Sequence, residues 1–123
     1  ANPLRDDMVA VLGETTAGPA LSRMRDKMRA HPVGLQILTD RPAITSASLD
    51  VEKLRLMPSG SFGREYQRHM DDLGITADTR KPVRFVDDEE CAYVAQRYRE
   101  THDFVHCLLG LGVRCVVVCW GWE

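Results

Sequence analysis

Three side chains with metal-binding chemistry crowd into one short run, His102-Asp103-Phe104-Val105-His106. If the run is helical, residues four apart share a face, so His102 and His106 stand one turn apart and Asp103 is turned by about 100° from His102. Two neutral imidazoles and an ionised carboxylate are a donor set that suits zinc or another first-row divalent ion. Three protein ligands with positions left open would make a catalytic type of site, and four closed ligands a structural one. Binding requires deprotonated histidines, so it should weaken below the ordinary imidazole pKa of about 6.5. The spacing is common in helices, and its meaning depends on what positions it.

The element that would carry the run is a long helix spanning about 87–110. Asp87-Asp88-Glu89-Glu90 open it and complement the positive end of its dipole, and Gly110 closes it as a left-handed cap. Its apolar residues Cys91, Val94, Tyr98, Val105 and Leu109 fall at three-and-four spacing, with His102 in the same stripe. Upstream, Asn2-Pro3 starts a helix with Leu4, Met8, Val11 and Leu12 on one face, and Gly13 ends it. Gly18-Pro19 opens a second helix, in which Arg23, Arg25, Lys27 and Arg29 are spread over more than one side and read as a solvated surface, with attraction to an anionic membrane surface as the alternative. His31-Pro32 starts a third, stopped at Arg41-Pro42. A weaker helix covers 49–57. Ser61 then caps one that places Phe62, Tyr66, Met70 and Leu73 on a single face, stopped by Gly74 and Ile75. Residues 75–86 connect it to the long helix.

No strand pattern competes, so the fold class is all-α, with helices packed around the helix at about 87–110. From residue 112 the texture turns β-branched and aromatic without a polar face. This reads as an atypical C-terminal tail, 112–123, beside a helical domain, 1–111.

Composition narrows the field. In 123 residues with 44% hydrophobic content and a net charge of −2, one domain is expected and no basic excess points to nucleic acid. No apolar run reaches the ~18 residues of a membrane span, and no signal-like segment is seen. The start at Ala1-Asn2-Pro3 is that of a processed or cut piece. Cys91, Cys107, Cys115 and Cys119 include no C-x-x-C pair and read as free thiols. His31 and His69 read as solvated, Arg97 and Arg99 as surface arginines and Tyr98 as core.

The stretch T-R-K-P-V-R-F-V-D-D-E-E-C-A-Y-V-A-Q-R-Y-R-E-T-H-D-F-V-H-C-L-L-G (79–110) resembles the mitochondrial ubiquinone-biosynthesis family that is fourth in the coenzyme Q series. N-P-L-R-D-D-M-V-A-V-L-G-E-T-T (2–16) and S-G-S-F-G-R-E-Y (59–66) are similar to the same family. The resemblance implies an all-helical protein, peripheral on the matrix side of the mitochondrial inner membrane, within a complex of ubiquinone-biosynthesis enzymes. It implies a lyase that removes the C1 carboxylate from a polyprenylated 4-hydroxy-3-methoxybenzoate, a step sometimes coupled to hydroxylation, with a divalent metal such as zinc. Its metal motif maps onto His102, Asp103 and His106. The family's further Glu ligand falls at Val118, and 112–123 read as a departure from the family's C-terminal helical portion, which the resemblance implies helps house the prenyl tail. One reading of this ending is translation past an exon boundary, which transcript sequencing would test.

Two other classes fit parts of the pattern. A non-catalytic, lipid-binding scaffold of the ubiquinone-synthesis complex needs the same helices and membrane surface but no chemistry. A His-Asp phosphohydrolase would use His69 with His102-Asp103, but it lacks a later Asp.

Overall fold

The computed structural model describes residues 12–110. Among these the chain is helical, with no strand. Residues 12–16 are helical, followed by α1 (Gly18–Arg29), α2 (Pro32–Asp40), α3 (Val51–Leu56), α4 (Phe62–Leu73), a 3₁₀ turn (Ala77–Thr79) and α5 (Glu89–Leu109). The tail read at 112–123 and the helix start read at Asn2-Pro3 lie outside the described residues. Two compact units divide the chain. Residues 1–42 and 81–98 form one, and residues 43–80 and 99–123 the other. Each takes one half of α5.

In the first unit, α1 and α2 are joined at a tight corner. Pro19 sits in the first turn of α1. His31 caps α2 by accepting a hydrogen bond from the Val33 amide at Nδ1 (3.2 Å), and Arg41 ends that helix in the left-handed region (φ 47°). The two backbones come very close at Gly34, where a Cβ would lie 2.3 Å from the Met28 carbonyl oxygen. Leu21 and Leu38 pack with Cys91, Val94 and Ala95 of α5 into the unit's apolar core. Gly13 does not end a helix as expected: it is buried inside a helical stretch, and the next residue explains why. Glu14 is 8% exposed and its carboxylate accepts the amides of Arg84 (2.9 Å) and Phe85 (2.8 Å), tying this stretch to the connector.

The acids opening α5 do more than complement its dipole. The Asp88 carboxylate accepts the Cys91 amide at 2.7 Å. Arg41 pairs with Glu89 at 2.5 Å, and Arg29 pairs with Glu90. The basic face of α1 is therefore not simply solvated: two of its arginines, Arg25 and Arg29, are turned toward these acids, with Arg25 3.8 Å from Asp88.

In the second unit, α3 is capped by Asp50, which accepts the Lys53 amide (3.0 Å). Gly63 lets α4 approach α3, because a Cβ there would stand 2.7 Å from the Met57 sulfur. The hydroxyl of Ser61 does not cap α4 as expected. It donates instead to the Pro58 carbonyl at 2.6 Å. The stop at Gly74 is as read, with φ 64° and the Ile75 amide bonded back to Met70 (3.1 Å). Tyr66 and Met70 are buried, whereas Phe62, expected on the same face, is 45% exposed. Phe104 of α5 meets Phe62 and Tyr66 edge-on, at 5.5 and 4.9 Å between ring centroids.

The stripe drawn along α5 holds only in its first half. Cys91 and Val94 are buried, Tyr98 is half-buried, and Val105 and Leu109 are 46% and 64% exposed. In the second half the buried positions are polar: Glu100, Asp103 and His106.

Candidate metal centre

The second half of α5 brings all three sequence-chosen residues to one neighbourhood. His102 points its Nδ1 at the Arg99 carbonyl, 2.7 Å away. A carbonyl only accepts, so in the neutral ring Nδ1 carries the proton and Nε2 the lone pair. This is the tautomer that metal-bound histidines adopt when the second nitrogen is anchored. The His102 Nε2 lies 3.5 Å from the Asp103 Oδ1. Two ligands, each ~2.1 Å from one tetrahedral ion, stand ~3.4 Å apart, close to that separation. The His106 ring stands edge-on to that of His102, with 5.1 Å between centroids.

His106 is the unusual member. It is 2% exposed, and neither ring nitrogen finds a hydrogen-bond partner among the described residues. A buried imidazole with both nitrogens idle costs about 1–3 kcal/mol of desolvation, so its nitrogens are open to a partner beyond the described residues. The donor chemistry and this unpaired ring fit a divalent ion. Among the described residues, however, no three His, Cys, Asp or Glu side chains stand grouped so that they could hold an ion. Val118, onto which the resemblance maps a further ligand, lies outside the described residues.

Asp103 is engaged on its other oxygen. Arg80 donates to Oδ2 from Nε (3.0 Å) and Nη2 (2.5 Å), and both side chains are almost buried, at 11% and 12% exposure. Burial works to lower the Arg80 pKa, but its bonds to Asp103 outweigh that and hold it above its usual value. Burial also pushes the Tyr66 phenol up, against the opposing charge of Arg80. Sequence reasoning gave Arg80 no role. It lies in an irregular connector, 23 residues before its partner, where no periodicity marks it.

A cleft of about 260 Å³ opens beside the site, lined by Glu65, Arg68, His69, Asp72, His106 and Cys107 among others. His69, expected in solvent, is half-buried on this wall. Burial pushes the Cys107 thiol up, with Glu65 acting in the same direction, so it stays protonated at neutral pH. Arg97, read as a surface residue, reaches the Pro42 carbonyl at 3.5 Å.

Comparison with known proteins bears on all of this. The family described as coenzyme Q (ubiquinone) biosynthesis protein Coq4 matches residues 1–117. The ubiquinone biosynthesis protein COQ4 homolog, mitochondrial, of Xenopus tropicalis is 59% identical over 122 residues, covering 97% of this chain and 44% of that protein. Its Homo sapiens counterpart is 55% identical over 122 residues, covering 97% of this chain and 46% of that protein. The mitochondrial COQ4 protein of Coprinopsis cinerea is 57% identical over 112 residues, covering 91% of this chain and 38% of that protein. The chain thus spans less than half the length of these relatives. No solved structure matches it.

Proposed function

The chain belongs to the Coq4 family of ubiquinone-biosynthesis proteins, and from that premise we propose that it serves ubiquinone biosynthesis in mitochondria as part of a metal-dependent decarboxylase. The relatives are named as mitochondrial ubiquinone-biosynthesis proteins. No helix among the described residues is long and apolar enough to cross a membrane. The proposed placement is peripheral, on the matrix side of the inner membrane, in a complex with other enzymes of the pathway. The proposed substrate is a polyprenylated 4-hydroxy-3-methoxybenzoate, whose bond from C1 to the carboxyl carbon breaks. Carbon dioxide leaves, the electron pair stays on the ring, and C1 takes up one proton.

The observation that supports a metal role is His106, buried with both ring nitrogens unpaired among the described residues, one turn from an oriented His102 and beside Asp103. His102 would bind through Nε2, Asp103 through Oδ1, and His106 through one ring nitrogen. A bound divalent ion such as zinc supplies Lewis acidity, stabilising negative charge on the carboxylate and the ring as carbon dioxide leaves. The chain's own contribution is placement. The Arg99 carbonyl orients one imidazole, Arg80 holds the carboxylate, and His106 is held buried on the wall of the cleft. The test is zinc content after loading and desalting. About one zinc per chain is expected, lost in His102→Ala and in His106→Ala. A wild-type chain that keeps no zinc, whatever stands at these positions, would refute the metal site.

A second reading, a non-catalytic scaffold that binds lipid and partner enzymes, is favoured by the exposed apolar residues Val105, Leu108 and Leu109 on α5. A His106→Ala chain that still assembles the complex and restores ubiquinone would decide for it.

A further inference from the structure

We propose that Arg80 is the positioning residue of the metal centre, holding Asp103 so that one carboxylate oxygen is turned to the ion. The inference rests on the reading of His102, Asp103 and His106 as ion ligands. Arg80 is itself held from behind. Its Nη1 donates to the Ala77 carbonyl at 2.9 Å, in the 3₁₀ turn Ala77–Thr79. That turn is locked by a reciprocal cap, in which the Thr76 amide donates to the Thr79 hydroxyl at 2.9 Å. It is also pinned from Asp78, which accepts the Ser46 amide at 3.0 Å. The guanidinium therefore reaches Asp103 from a fixed base.

Where its bonds land matters more than their number. Both the Nε and the Nη2 bond fall on Oδ2, while Oδ1 lies 3.5 Å from the His102 Nε2. A carboxylate held this way presents one oxygen to its anchor and the other to the histidine side. Outer-shell partners of this kind orient metal ligands, and their loss typically costs 10–100-fold in metal affinity. A lysine would carry the same charge, but its single ammonium lacks the planar fork that serves Asp103 and Ala77 together.

A purely structural ion pair predicts something else. Buried pairs are often no better for stability than an apolar replacement, and such a pair has no reason to affect ion binding. The two roles separate in a titration with Co²⁺, whose visible absorption reports the ligand geometry, run beside thermal unfolding on the chain, Arg80→Lys and Arg80→Met. The expected result is a ~10–100-fold weaker Co²⁺ affinity and an altered spectrum in both variants, with helicity retained. Arg80→Lys should recover much of the thermal stability lost in Arg80→Met but little of the affinity. If Arg80→Met fails to fold, Arg80→Lys decides. A folded Arg80→Lys with unchanged affinity and spectrum overturns the positioning role and leaves the metal centre standing. A wild-type chain that binds no Co²⁺ overturns the ligand reading and this inference with it.

Discussion

Between Glu89 and Tyr98, α5 buries Cys91, Val94 and Ala95 against Leu21 and Leu38. Between Arg99 and Leu109 it buries Glu100, Asp103 and His106 and leaves Val105, Leu108 and Leu109 in the open. One helix thus follows two physical rules. In its first half, removing apolar surface from water provides the stability, and any shape-matched apolar side chain would serve. In its second half, burial brings a desolvation cost that specific partners must offset: Ile44 for Glu100 (3.1 Å) and Arg80 for Asp103. His106 alone in that set is left with nothing to offset it among the described residues. The proposed metal reading rests on that one unmatched group in the polar half of the helix.

The largest effect expected from that contrast is at Asp103. Asp103→Leu would leave the Arg80 guanidinium almost buried and without its carboxylate. Stranding one partner of such a pair costs about 3–5 kcal/mol. The urea midpoint should fall accordingly, and the double variant Arg80→Met, Asp103→Leu should recover most of the loss. Equal stability of the single and double variants would show that the second half does not depend on pairing at all.

A smaller effect separates the two valines of α5. Val94 is 1% exposed and Val105 is 46% exposed. Val94→Ala should cost roughly 2 kcal/mol through lost burial and the cavity left behind. Val105→Ala should stay within about 0.5 kcal/mol, as surface changes do. Equal costs at the two sites would mean that Val105 is covered in solution, and the contrast between the halves would have to be redrawn.

The sequence made the first half of α5 readable because periodicity reports burial wherever burial is apolar. Its start at the acids, its left-handed end at Gly110 and its inward Cys91 and Val94 follow from residue types alone. The same rule misled in the second half, where Val105 and Leu109 continue the spacing but face outward. Apolar periodicity has no term for a buried face made of Glu, Asp and His. Asp103, read as turned by about 100° from His102, is more buried than His102, read as part of the stripe, with side-chain exposures of 12% and 31%. Arg80 and the close approach at Gly34 depend on contacts between segments distant in the chain or on a backbone-to-backbone fit, and local spacing encodes neither. Ser61 does not cap α4 through its side chain: the hydroxyl is turned to donate to the Pro58 carbonyl, and no first-turn amide donates to it.

The smallest effect is at the cap that begins the apolar half, and it bears on where the acid sensitivity of the chain resides. The Cys91 amide, bonded to the Asp88 carboxylate, holds that group below its ordinary value of 3.8, with Arg25 and Arg29 acting in the same direction. A carboxyl whose pKa is depressed by folding adds stability that is fully present above the unfolded value. That stability is lost as pH falls through the folded one. The Asp88 contribution is therefore intact at pH 7 and fades only below about pH 4. Asp88→Asn keeps an oxygen for the Cys91 amide but removes the titration. Urea midpoints of the two chains should lie close together at pH 7, and the advantage of Asp88 should shrink as pH falls below 4. Asp71, lowered first by its bond to Arg55, and Asp78, lowered first by the Ser46 amide, lose their contributions in the same acidic range. These ties lie in the other unit, so Asp88→Asn should leave their acid response unchanged. If Asp88→Asn instead removed the acid transition of the whole chain, the start of α5 would control the polar half as well as its own.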